Sequence, residues 1–203
     1  MAEDKDETAV PKDLSSAFFV EKTLVLIKPD AVQRGLAGRI LERFENVGLK
    51  IVGMKMIQAD KDLAMKHYPK TMTAILGEKT MKDWQEMGIA TKLTQIELGE
   101  QAWNDLISFA TEAPVIAIVF EGVHAVEVVR KMCGSTSPHK APPGTIRGDF
   151  SPISMGYASR RGFGGRNIVH ASGNKKEAEA EIMLWFKPNE IYTYKTVWES
   201  QVE

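Results

Sequence analysis

Four histidines stand in the chain, His67, His124, His139 and His170, and His170 is the one placed for chemistry. It falls at the end of a predicted strand over 166–171. A helix follows, with Asn174 as its expected cap and Glu177 three positions on. A helix N-terminus offers about half a positive charge and free backbone N–H groups, where phosphate binds readily. Read alone, such a histidine finishes a strand and packs. Three cations change that reading. Lys28 ends the apolar run from Thr23 to Ile27, and Arg130 lies late in a predicted helix over 123–133. Arg147 sits in Gly144-Thr145-Ile146-Arg147-Gly148-Asp149, whose glycines mark a stiff turn. Singly each is a surface charge. Together they would neutralise a triphosphate, with His170 as nucleophile. Phosphoryl transfer rests mainly on positioning and charge stabilisation, so such a pocket suffices.

Other chemistries lack their residues. No histidine pair has the HExxH spacing of a zinc enzyme, and there is no GxxxxGK[ST] phosphate loop. Gly162-Phe163-Gly164-Gly165 is not GxGxxG, and serine and cysteine nucleophile motifs are absent. The single cysteine, Cys133, supports neither an internal disulfide nor a zinc cluster.

These side chains need elements to hold them. Strands are expected at 23–27, 51–58, 115–120 and 166–171, from short apolar, β-branched runs. Helices are expected over 40–47, where Ile40, Leu41, Phe44 and Val47 recur at helical spacing ahead of Gly48, and over 60–68, 103–111, 123–133 and 174–186. Residues 69–101 are irregular, with a helix start near Thr80. The order is βαβ, extra helices, βαβ, helix. It suits an α+β sandwich, ferredoxin-like βαββαβ, an antiparallel sheet with helices on one face, extended by a helical insertion and a C-terminal helix.

The 203 residues are 43% hydrophobic and 26% charged, as in an ordinary globular protein. Residues 1–21 hold six acids and two lysines and read as a disordered acidic tail; 22–203 read as one domain. The rest of the chain carries a net +3, too little to indicate nucleic acid as partner. No apolar run approaches the ~18 residues of a membrane span, and the acidic start does not resemble a signal peptide. A cytoplasmic location is expected.

Three segments together bring a family into view: Thr23-Leu24-Val25-Leu26-Ile27-Lys28-Pro29-Asp30 with Val32-Gln33-Arg34-Gly35; Gly144 to Phe150; and Gly165-Arg166-Asn167-Ile168-Val169-His170-Ala171-Ser172. They occur in order, and with Glu181, Leu184, Trp185 and Phe186 they resemble the nucleoside diphosphate kinases over roughly 22–195. The resemblance implies a ping-pong transfer of the γ-phosphate of a nucleoside triphosphate, such as ATP, to a diphosphate, such as GDP. His170 would carry the phosphate and Glu181 would accept a hydrogen bond from its other ring nitrogen. Lys28 and Tyr68 would stand beside the histidine. Arg130, Thr136 and Arg147 would clamp phosphates, and Asn167 would contact the sugar. Mg2+ would bridge nucleotide phosphates without direct protein ligands. A homo-oligomer, hexamer or tetramer, is implied. The alternative of another class is a catalytically silent nucleotide-binding regulatory module.

The chain departs from the family pattern in three places. About thirty extra residues lie at 70–101, where the family's stacking phenylalanine would fall near Ala102 and Trp103. A second insertion, 151–164, carries Tyr157, Arg160, Arg161 and Phe163 and is expected to touch another subunit. Ala171 and Gly173 replace a glycine and an aspartate after the histidine.

Overall fold

The computed structural model describes residues 19–197; residues 1–18, most of the expected acidic tail, lie outside the described residues. Four strands form one antiparallel sheet in the order β2-β3-β1-β4. They are β1 (Val20–Ile27), β2 (Lys50–Ile57), β3 (Val115–Val123) and β4 (Val169–Ala171). The central pair runs in register from Val20↔Val123 to Ile27↔Ile116. This is the ferredoxin-like α+β arrangement.

Successive β1 side chains point to opposite faces, and both faces are covered, so its sequence is a continuous apolar run. Val25 and Ile27, with Ile118 and Phe120 of β3, pack under α2 (Ala37–Asn46) and α6 (Ala125–Cys133). Phe44 and Phe120 meet there with ring centroids 4.9 Å apart. Each fully buried side chain of this size contributes about 1.5–3 kcal/mol. The C-terminal extension takes the other face. Ile182 and Trp185 of α9 (Lys175–Trp185), with Phe186, lie over Leu24, Leu26, Val52 and Val119.

The stretch expected to be irregular is a helical hairpin. Helix α3 (Lys61–His67) leads through a short 3-10 turn into α4 (Thr73–Glu86), and α5 (Gln95–Glu112) returns alongside. Two glycines let their backbones touch. A Cβ on Gly77 would lie 2.0 Å from the Gln95 carbonyl oxygen, and one on Gly99 would lie 2.1 Å from that of Thr73. Thr94 and Glu97 form a capping box that starts α5.

The second insertion packs on the first. Its short helix α8 (Met155–Arg160) lies against α4, where Trp84 donates its indole N–H to Ser159 Oγ at 2.9 Å and the Gly156 carbonyl at 3.2 Å. Lys140 reaches from the preceding loop to Glu86 at 2.6 Å. Helix α8 thus packs on α4, and Tyr157 and Phe163 are exposed. Two further short helices, α1 (Pro29–Gln33) and α7 (Ile146–Phe150), carry the turns after β1 and before α8.

The last strand is shorter than expected. Residues 166–168 are irregular because Ile168 adopts a left-handed φ of 75°. Asp30 Oδ2 accepts its N–H at 3.0 Å, and its carbonyl accepts the Lys28 N–H at 2.9 Å. A branched residue held there stores about 1–3 kcal/mol of strain, and such strain clusters at functional sites.

Candidate active site

The end of β1 and the start of β4 lie side by side, with His170 opposite Leu26. Lys28, one residue beyond β1, turns inward. Its Nζ donates to Asn167 Oδ1 at 2.7 Å and to the Gly165 carbonyl at 3.0 Å. Asn167 in turn donates Nδ2–H to the Thr136 carbonyl at 2.8 Å, tying the 134–140 loop to the strand. Arg147, on α7, is buried and donates to three carbonyls: Gly134 and Val169 at 2.7 Å and Asn167 at 3.1 Å. A guanidinium has five N–H groups, so two remain for a ligand.

Arg130, in the last turn of α6, is exposed at the pocket wall, and among the described residues no hydrogen bond or ion pair engages its guanidinium. Thr136 is exposed on the same wall. Tyr68, after α3, is buried and lines the pocket.

Glu181, two turns into α9, faces His170 across the sheet edge. Its Oε1 accepts from His170 Nε2 at 2.9 Å, and its Oε2 accepts from the Ser172 hydroxyl at 2.6 Å. Ser172 is fully buried and receives the Leu24 N–H. Ala171 sits in ordinary strand geometry opposite Val25, so alanine there strains nothing.

All eight residues singled out in the sequence thus meet around one cavity or its floor. The cavity is about 600 Å³. His170, Lys28, Arg130 and Arg147 line it together with Leu76, Lys79, Asp83 and Glu86 of α4 and with Met155 and Ser159 of the second insertion. Ala102 lines it. Trp103 does not: its indole N–H donates to the Tyr68 carbonyl at 2.8 Å and its ring packs in a small core with Leu106 and Ile107.

Two residues were not legible. Ser172 supports Glu181, and His67 lies with its ring centroid 4.4 Å from that of His170. Neither carries a spacing signal, because both depend on helices meeting a strand edge from elsewhere in the chain.

Electrostatics follow from burial. The His170 imidazole is held neutral, its pKa pushed down from 6.5 to about 3 by burial first and then by Lys28, Arg147 and Arg130. Burial lowers Lys28 to about 7, with Asp30 opposing and Arg147 assisting. Burial raises Glu181, while His67 and the Ser172 hydrogen bond pull it down. His67, His170 and Glu181 offer donor atoms within 4.8 Å of one another. The three cations that suppress the proton on His170 oppose a divalent cation there for the same reason.

The sequence profile of nucleoside diphosphate kinases matches residues 21–82 and 80–191, two stretches that meet inside α4. The chain belongs to the nucleoside diphosphate kinase family. A nucleoside diphosphate kinase of Borreliella burgdorferi is 44% identical over 177 residues, 87% of this chain and 93% of that one. The structure of a Pyrobaculum aerophilum NDP kinase superposes with a TM-score of 0.80 at 43% identity, covering 86% of this chain and all of that one. A transition-state mimic of the Borrelia burgdorferi nucleoside-diphosphate kinase, with bound vanadate and ADP, superposes with a TM-score of 0.74 at 43% identity, covering 91% and 97%. The family's fold is therefore shared, and among the described residues no helix is long and apolar enough to cross a membrane.

Proposed function

We propose that this chain moves the γ-phosphate of a nucleoside triphosphate to a nucleoside diphosphate through a phosphorylated His170. One observation carries the reading: the His170 imidazole, its Nε2 2.9 Å from Glu181 Oε1 and its proton disfavoured by burial, lines a nucleotide-sized cavity with Lys28, Arg130 and Arg147. Nε2–H donates to the carboxylate, which leaves the Nδ1 lone pair to attack. The Nδ1–P bond forms as the bond from phosphorus to the bridging oxygen breaks. Its electron pair leaves with the diphosphate, and the Nε2 proton stays shared with Glu181. A second diphosphate reverses the step.

Arg130 and Arg147 offer N–H groups to the phosphates, Thr136 a hydroxyl, and Lys28 a cation whose proton the incoming anion strengthens. Asn167 holds Lys28 in place and stands within reach of the sugar. Tyr68 borders the histidine. Magnesium fits as an ion carried on the nucleotide phosphates, because the carboxylates lining the cavity, Asp83 and Glu86, are already paired with Lys140. When bound it would neutralise phosphate charge.

The outward Met54 and Met56 on the edge strand β2 suit a homo-oligomer, tetramer or hexamer. The buried thiol Cys133 and the nucleotide substrates suit the cytoplasm. The experiment is to incubate wild type and His170→Asn with γ-labelled ATP and magnesium, then chase with GDP. Acid-labile label on wild type alone, leaving as GTP, is expected. Nucleotide binding without label on wild type would replace this reading with a regulatory binding module.

A further inference from the structure

His67 closes α3 and exchanges neither proton nor phosphate in the transfer step. Its side chain is 1% exposed. Its ring meets those of His170 and Tyr68 edge-on, both at 4.4 Å between centroids, and that of Trp185 at 5.5 Å. The Trp185 indole N–H donates to His67 Nδ1 at 3.2 Å. An indole nitrogen only donates, so Nδ1 accepts and the His67 proton sits on Nε2. That buried N–H has no hydrogen-bond partner among the described residues. An unpaired buried donor costs about 1–3 kcal/mol, which offsets the ~0.5–1.5 kcal/mol gained from the Trp185 hydrogen bond. The tether therefore brings little net stability of its own. A cavity of about 20 Å³ bounded by His67, Tyr68, Leu106, Phe109 and Trp185 lies beside the ring, space for a single water. The hydrogen bond from Trp185 fixes the orientation of the ring.

We propose that His67, tethered by Trp185, is a positioning residue for phosphate transfer, pressing edge-on against the His170 ring so that Nε2 stays on Glu181 and Nδ1 faces the nucleotide. The proposal rests on the reading of His170 as nucleophile. Glu181 secures one ring atom, and a ring plane needs a second restraint. The tether also guards Glu181. His67 Nδ1 lies 3.7 Å from Glu181 Oε1, the oxygen that His170 uses. Released and protonated, His67 would take that oxygen. The groups facing it are Glu181 from α9, which favours the proton, and His170 from β4 and Lys28 beyond β1, which oppose it; Tyr68 beside it is neutral. In the intact protein burial keeps His67 neutral.

The test measures the rate of His170 labelling by ATP, in rapid-quench experiments, and the ADP dissociation constant, between about pH 5.5 and about pH 8. Trp185→Phe is expected to bind ADP within about twofold of wild type. It should label about tenfold more slowly at the alkaline end and about a hundredfold more slowly at the acid end, the loss that a small misplacement produces. His67→Gln has no ring to titrate and is expected to lose about tenfold at every pH. A uniform loss in Trp185→Phe, or a loss matched by weaker ADP binding, would reduce the pair to core packing and overturn the proposal. If Trp185→Phe does not fold, His67→Gln decides: a wild-type rate overturns the proposal, and a slower rate at unchanged ADP affinity supports it. Failure of the parent reading is distinct, because wild type itself would then take no label.

Discussion

Two arginines of the cavity hold opposite positions in the balance between structure and ligand. Arg147 is braced by three backbone carbonyls, which links α7, the 134–140 loop and β4. Arg130 has no such ties among the described residues, so its charge is free for phosphate. Lysine cannot copy the planar fork that spans three acceptors. Arg147→Lys should therefore lower unfolding free energy by roughly 2–4 kcal/mol, from lost charge-assisted bonds and stranded carbonyls. Arg130→Ala should leave stability within about 0.5 kcal/mol, as surface substitutions do, while weakening ADP. Urea unfolding paired with ADP titration checks both. Equal destabilisation by the two changes would show that Arg130 has a structural tie of its own.

At the scale of elements, the two insertions act as one unit because Trp84 of α4 donates to α8. Trp84 is 3% exposed, and truncating a buried tryptophan costs about 3–5 kcal/mol. Trp84→Ala should therefore release α4 and α8 together. Amide exchange would show both lose protection while β1 and β3 keep theirs, and ADP should bind more weakly for want of one wall of the cavity. Protected α8 amides in that variant would mean the two insertions hold independently. The sequence carried the sheet well, because β1 and β3 are apolar on both faces and announce themselves as runs. It carried the α4–α5 hairpin poorly. Gly77 and Gly99 look like helix breakers in one dimension, whereas in three they are what lets the helices touch. Residues 166–168 looked like strand because nothing local betrays the left-handed Ile168, which Asp30 and Lys28 impose from another element. The cluster around His170 was legible as motifs, while Ser172 and His67 needed the approach of α9 and α3.

At the scale of the molecule, the site sets how stability responds to acid. In the unfolded chain His170 takes a proton near its ordinary 6.5, whereas in the fold it does so only near about 3. Between those values the unfolded state holds the extra proton, so stability falls as pH falls. His67, also held below its ordinary value by burial, acts in the same direction. Asp30 and Glu181, raised by burial, act in the opposite one, losing stability as pH rises above their ordinary values. The total curve therefore mixes signs, and the difference between wild type and His170→Asn removes the His170 titration together with its effect on its neighbour His67. Asparagine does not titrate and can still reach the carboxylate. Relative to that variant, wild type should lose roughly 2–3 kcal/mol between about pH 7 and about pH 4.5, because each pKa unit of displacement is worth about 1.4 kcal/mol. Urea unfolding of both proteins across that range measures it. A difference that stays flat would mean that His170 is already protonated near its ordinary pH in the folded protein. The neutral nucleophile at about pH 7 would then follow from the ordinary pKa of imidazole, with no contribution from burial.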